Sequence, residues 1–422
     1  MTWHFWQRLG FRFMFAYVVL YCAPFPLGFI PLARLEEAYS WPWQVLVAWA
    51  GSNVFHLAEP VRHTQTGSGD ATYNYVLLVC MLAIAVLATA VWSIFDQRSA
   101  GYPTLARWLR LYIRFWLASA MISYGLDKVF VTQFPAPFLW KYTEPYGAAS
   151  PMGLLWMFMS SSPAYTIFAG SIESAAGLLL LWPRSAVAGG LLAAAALGNI
   201  VALNLSYDVP VKLYSFHLLL AAFIVLGPNL KAVTDFLLRA QPAHIDEDIP
   251  PVSRPAQRRA LVAMQALVAM AFVVSSLQGV LAERAILAQK PVLYGVWKVE
   301  DFSVNGKSLA AKPVGGSRWK RVVIDALYGK AVIQIETLVG APRRGLASVD
   351  PKTQKIVLYG YGRDTPKEEL SYAFQRSAPN DIVIWGKYQG QTIRAKLHLL
   401  GPKAFPLNAR GFHWVNEYPY NL

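Results

Sequence analysis

Seven times the chain runs apolar for close to the twenty residues that a helix needs to cross a bilayer, at about 11–33, 73–95, 108–131, 163–183, 185–206, 211–228 and 259–282. Hydrocarbon offers no water to backbone polar groups, so runs of this kind are restricted to helices that bond internally. With 55% of its 422 residues hydrophobic and only 15% charged, the sequence predicts a polytopic membrane protein and not a soluble enzyme.

Trp3, Phe5, Trp6, Arg8 and Arg12 precede or open the first run as an interfacial aromatic and cationic anchor. Pro24, Pro26, Gly28 and Pro31 interrupt that run, which predicts a kink or break. No small-residue cleavage site follows, so the segment is expected to be retained. The two cysteines, Cys22 and Cys80, lie inside separate runs and read as apolar packing residues, without a disulfide framework. Residues 41–57, WPWQVLVAWAGSNVFHL, are too short an apolar run to span and are expected to lie in the interface or re-enter. His56, Glu59 and His63 follow at i, i+3 and i+7, a spacing that on one helix could hold a metal. Pro60 argues against a helix there, so they read as a wet polar edge and no metal is assigned.

Loop charge sets the orientation. Arg8, Arg12, Arg98, Arg107, Arg110, Arg184, Lys231, Arg239, Arg254, Arg258 and Arg259 fall on one side, against Arg34, Arg62, Lys128, Lys141 and Lys212 on the other. The positive-inside rule then places the N-terminus in the cytoplasm of a bacterial inner membrane and, after seven crossings, the C-terminal domain in the periplasm. The expected organisation is an N-terminal membrane segment (1–100), a four-helix membrane core (101–232), a proline-rich cytoplasmic linker (233–257), a last span (258–284) and a β domain (290–422).

That last domain alternates with period two. In TIRAKLHL, residues 392–399, Ile393, Ala395, Leu397 and Leu399 share one face while Thr392, Arg394, Lys396 and His398 share the other. Similar runs near 295–303, 318–326, 330–338, 345–349, 354–361, 369–375 and 381–388, with turn residues between them, bring the count to eight strands, enough to close a small ligand-holding barrel. Its opening Gly295-Val296-Trp297 resembles the start of lipocalin-like domains, which implies that Trp297 plugs the barrel base. A basic membrane-proximal β-sandwich is the alternative. Between 291 and 422 there are 19 Lys and Arg against 10 Asp and Glu, so the domain favours anionic headgroups or an acidic ligand. Nucleic acid is not an expected partner outside the cytoplasm.

Polar groups are expensive in hydrocarbon, and four neighbouring spans between 105 and 230 carry nearly all of them. By helical rise, Asp127, Lys128, Asn199, Asn204, Asp208, Lys212, Tyr214 and His217 gather in the outer half of the bilayer, with Glu173 near its middle and Arg114 toward the cytoplasm. Asn204 with Asp208, Tyr214 with His217 and Tyr124 with Lys128 each share a helical face that could line one cavity. Each group also has a plainer reading as a snorkelling end, a turn ion pair or a packing residue; Glu173, a lone mid-span carboxylate, is hardest to explain that way. Gly170, Gly177, Gly189, Gly190 and Ala193 to Ala196 are expected to let spans four and five approach closely.

These stretches resemble the DoxX-like family of small four-helix bacterial membrane proteins. The likeness lies in Arg114 with Gly125-Leu126-Asp127-Lys128, in Glu173 to Leu180, and in NLSYDVPVK (204–212) followed by His217, about 125 residues in all. Some members are linked to quinone-coupled oxidation of sulfur compounds. The resemblance therefore implies an outward-facing polar site for a small or amphiphilic molecule, with quinone as acceptor and a redox or envelope protein as partner. In an enzyme, Glu173 would accept the proton, Lys128 and Lys212 would hold an anionic or carbonyl group, and His217 with Tyr214 would relay protons. The chain departs from that pattern by its added spans and β domain, and no heme, flavin or iron–sulfur ligand set is visible. Two other readings stand beside it: a lipid or lipoprotein handling factor that uses the barrel, and a structural membrane subunit.

Overall fold

The computed structural model describes residues 3–29, 33–63, 66–242, 245, 252, 254–309, 318–360, 370–388 and 390–418, with the side chains of 33–36 excepted. Pro31, the side chain of Arg34 and, within the proline-rich linker, residues 243, 244, 246–251 and 253 lie outside the described residues. The chain forms two compact units. One comprises Met1–Gln133 with Ala164–Leu281, and the other Phe134–Pro163 with Ala282–Leu422.

The first unit holds helices α1 (Phe5–Cys22), α2 (Ala33–Asn53), α3 (Thr72–Phe95), α4 (Pro103–Val129), α6 (Pro163–Leu181), α7 (Ala186–Ser206), α8 (Lys212–Leu226), α9 (Leu230–Arg239) and most of α10 (Pro255–Leu287), while α5 (Pro151–Ser160) and the end of α10 from Ala282 belong to the second. Among the described residues, six segments are long and apolar enough to cross a membrane, a multi-pass pattern. The expected third span is the exception. α4 is a 27-residue helix but carries Arg107, Arg110, Arg114, Asp127 and Lys128, so its composition is too polar to qualify. It can carry them because it is the enclosed member of the bundle, with Ile113, Leu117, Ala118 and Ile122 almost fully covered.

α1 ends at Cys22, earlier than the sequence suggests, as Pro24 and Pro26 leave the helix without donors to continue. Arg12 is not a headgroup anchor. It is buried at 4% exposure, donating to Ser93 Oγ (2.7 Å) and Tyr102 Oη (2.9 Å), and so pins α1 antiparallel to α3. α2 starts at 33, well before the tryptophan-rich run, and tolerates Pro42 in its interior. Tyr39 Oη donates to Leu20 O at the end of α1, and Val47 and Ala50 pack on Tyr73 and Val76 at the start of α3. α2 thus returns to the end of the bundle from which it sets out. Because it stops at Asn53, His56, Glu59 and His63 share no helical face. The first residues of the expected linker are folded as α9.

The second unit is a closed antiparallel barrel. Its strands are β1 (Gly295–Val304), β2 (Lys307–Ser308), β3 (Trp319–Leu327), β4 (Lys330–Thr337), β5 (Arg343–Asp350), β6 (Lys355–Gly360), β7 (Leu370–Ala378), β8 (Asp381–Tyr388) and β9 (Gln391–Leu400). Each long strand pairs with the next, β2 is a two-residue appendage of β1, and β1 closes on β9 from Val296↔Leu400 to Val304↔Ile393, with a bulge near Asp301. Ile393, Ala395 and Leu397 point inward as the alternation requires, and Trp297 is buried with Nε1 bonded to Leu293 O at 2.8 Å. Among the described residues the interior is packed with side chains, and the void bounded by Trp319, Ile333, Ile356 and Tyr372 measures about 10 Å3, room for one water at most.

Val322, Val323 and Ile324 are all buried because β3 is covered on both sides. Its outer face, with Val296 and Val332, packs against Trp140 of the segment between α4 and α6. Leu139 N–H donates to Asp325 Oδ2 (2.6 Å), Thr143 Oγ1 to Glu336 Oε1 (2.5 Å), and the Arg344 guanidinium lies 4.3 Å from the Trp140 ring centroid. Residues 134–163, assigned from sequence to the membrane core, fold with the barrel instead.

Candidate functional site

The polar groups that the sequence places in one chamber separate into three locations. The first is the contact between α4 and α6. Gly125 and Gly170 bring the two backbones together: a Cβ on Gly170 would come within 2.5 Å of Lys128 Cβ, and one on Gly125 would strike Ser174. Gly170 and Gly177 therefore serve this contact and not the expected one with α7, which falls to Gly189. At this closest approach Lys128 Nζ meets Glu173 Oε2 at 2.7 Å, with the two residues 7% and 4% exposed. Each charge supplies what the other needs to be buried.

The second location is a set of helix-end ties. Asn204 Nδ2 donates to Ser215 Oγ (3.0 Å) and pins α7 to α8. Asp70, which the sequence reading passed over, accepts the backbone N–H groups of Lys212 (2.8 Å) and Leu213 (3.0 Å) and so caps α8. Lys212 Nζ is held at 2.8 Å by the exposed Asp208, which sits at a left-handed φ of 51°. Asp127 is half-buried beside Thr132, Asn199 is exposed on α7, and Arg114 lies some fourteen residues down α4, near Arg110 and Pro183, about 20 Å from Lys128 by helical rise.

The third location is a cavity of about 710 Å3 at the end of the bundle where α1 stops and α3 and α8 begin. Tyr21, Tyr39, Trp43, Tyr73, Tyr124 and Tyr214 contribute aromatic wall, Gln44 and Asn74 contribute amides, and His63 and His217 contribute imidazoles. Glu37 is the only carboxylate, and no Lys or Arg lines it among the described residues. His217 Nδ1 lies 2.6 Å from Leu213 O, which can only accept, so Nδ1 carries a proton. In the neutral ring Nε2 then accepts from Tyr17 Oη at 2.5 Å. Tyr21 stacks on the imidazole, with centroids 4.0 Å apart and planes 12° from parallel.

Of the residues expected to converge, Tyr214 and His217 line this cavity, whereas Glu173, Lys128, Asn204, Asn199, Asp208, Lys212, Asp127 and Arg114 do not. Tyr124 belongs to both places: its ring faces the cavity and lies 5.8 Å from Lys128 Nζ. Sequence reasoning missed Tyr17, Tyr21, Trp43, Gln44 and Asn74 because it treated the N-terminal helices as periphery. The available signal was Phe13, Tyr17 and Tyr21 at i, i+4 and i+8 on α1. Chemically, the cavity can stack a planar or apolar group, exchange neutral hydrogen bonds with it and pass a proton between His217 and Tyr17.

No family model matches this chain, and no solved structure does. Over 115 residues it is 34% identical to a protein described as "Uncharacterized protein YwoB", from Bacillus subtilis (strain 168), a stretch that covers 27% of this chain and 71% of that protein. The chain therefore belongs, over that portion, to the family that includes YwoB.

Proposed function

We propose that the helical unit of this membrane protein binds a small or amphiphilic molecule in the cavity that His217, Tyr214, Tyr124 and Tyr21 share. The observation that carries this reading is the cavity itself: about 710 Å3 within a span bundle, walled by aromatic rings and neutral hydrogen-bonding groups, with a His217–Tyr17 dyad at its edge. That size and lining suit a small organic ligand. The DoxX-like resemblance adds the redox version: a quinone, soluble in the membrane, would stack on the aromatic wall beside the Tyr21–His217 pair and take a hydrogen bond from a wall donor such as Gln44 or Tyr214, and a redox or envelope protein would be the partner. Lys128 and Glu173 enter as the pin that holds α4 against α6 behind Tyr124, since they neutralise each other away from the cavity wall. The loop charges support an inner-membrane location with the N-terminus cytoplasmic and the barrel periplasmic. A barrel-borne lipid is less well supported, because the described residues of the barrel interior are packed against one another.

The test is equilibrium binding of a radiolabelled quinone with a short isoprenoid tail to the full-length protein in nanodiscs. Saturable binding that weakens about tenfold or more in His217→Leu and in Asn74→Leu, roughly 1.4 kcal/mol each, is expected. Non-saturable uptake, or affinity unchanged in both variants, overturns the reading.

A further inference from the structure

Beside the cavity runs a second space of about 270 Å3, walled by Phe13, Met14 and Val18 of α1 and Leu220, Ala221 and Ile224 of α8. It is apolar almost throughout, and it shares with the cavity the stacked pair Tyr21 and His217. One aromatic stack therefore separates a polar, aromatic chamber near the helix ends from a hydrocarbon groove that continues along the same two helices. The polar atoms nearest the groove are already engaged, Tyr17 Oη with His217 Nε2 and His217 Nδ1 with Leu213 O, so the groove wall offers a chain only van der Waals contact.

The chamber has a sign as well as a shape. Among the described residues Glu37 is the one carboxylate of its lining; of the cations that adjoin lining residues in sequence, Arg62 is not part of the wall, and Lys212 is tied to Asp208 at 2.8 Å with Asp70 at 3.8 Å. Among the described residues, an anionic head would give up water beside that carboxylate with no lining cation to receive it, a costly transfer. A head without negative charge meets amide, imidazole and phenol groups, and the aromatic walls also suit a cationic one.

Resting on the cavity as the binding site, we propose that chamber and groove are one bipartite site for a single-chain amphiphile. Its hydrogen-bonding head, free of negative charge, lies among Trp43, Gln44 and Asn74. Its hydrocarbon chain passes the Tyr21–His217 stack and lies between α1 and α8. Ordinary bilayer lipid would wet the groove without entering the chamber, and that is the alternative to exclude.

The experiment uses full-length protein in phosphatidylcholine nanodiscs with two photoreactive probes, a monoacylglycerol and the corresponding fatty acid, each bearing a diazirine at the chain end. The expected result is saturable labelling by the monoacylglycerol at Phe13, Met14, Leu220 or Ile224, reduced about tenfold by Leu220→Trp. Phe223→Trp, on the same helix outside the groove, is expected to leave labelling unchanged, and the ionised fatty acid to label at least tenfold less at equal concentration. Labelling spread evenly over the helix exteriors, insensitivity to Leu220→Trp, or equal labelling by the two heads overturns the proposal. Short-chain quinone binding that survives in the wild type alongside any of those results sinks the bipartite site alone; its loss as well sinks the cavity reading too.

Discussion

Lys128 and Glu173 show how much a single residue pair is asked to do in a bundle of this kind. Removing one partner leaves a buried charge with nothing opposite it, which costs about 3–5 kcal/mol, whereas replacing both with apolar groups of similar volume is often close to neutral. Lys128→Met is therefore expected to lower the thermal unfolding midpoint of the detergent-solubilised protein sharply, and Lys128→Met with Glu173→Leu to restore most of it. A double variant as unstable as the single one would mean that the pair does more than hold helices. In the barrel, Asp325 accepts two backbone N–H groups, from Ala326 and Leu139, yet burial pushes its carboxyl from 3.8 up to about 6, with Arg344 and Lys290 pulling the other way. The folded state then holds the proton more tightly than the unfolded chain. Its contribution to stability is fully present below about pH 4 and is lost as pH rises through about 6, with a ceiling of roughly 3 kcal/mol for a shift near two units. Unfolding midpoints from pH 4 to 7.5 should fall across that window in the wild type and stay flatter in Asp325→Asn; identical slopes would remove Asp325 from the account.

At the scale of elements, α4 and α6 are set by glycine at the two places where their backbones approach most closely. Gly170→Val places new atoms against Lys128 Cβ and Gly125 O, and is expected to cost about 1–3 kcal/mol as overpacking and to disturb the ion pair. Gly198→Ala, on α7 with nothing within 4 Å of the added carbon, should instead gain up to about 1 kcal/mol of helix propensity. Paired midpoint measurements check both, and equal effects would refute the close-approach argument. The strands were legible because a half-buried strand writes its period directly into sequence. β3 is the instructive case, since Val322, Val323 and Ile324 break the alternation where Trp140 covers the outer face.

The whole molecule divides differently from the way its composition does. The barrel unit is discontinuous in sequence, completed by residues 134–163, whose Trp140 covers Val296, Val323 and Val332. A fragment of residues 288–418 should expose that patch and unfold at lower temperature than the same fragment with a synthetic 134–149 peptide added in excess. No shift on adding peptide would show that the segment is a passive visitor to the barrel. Apolar runs and alternating strands announced a helical membrane portion followed by an antiparallel β domain of barrel type, because each reports a local preference for its surroundings. The membrane-buried polar residues were legible as a set, but not their partners. Spacing within one helix says which side chains share a face, and says nothing about which neighbouring helix that face meets. Hence Glu173 was expected in one chamber with Lys128, Asn204 and His217; it is found on Lys128, while His217 is found on Tyr17 and Tyr21 of a helix about 200 residues earlier. The sequence determined where each side chain is in its own element, since that depends on backbone period. Only the tertiary structure decided which of them enclose a common space, since that depends on how the helices are arranged around one another.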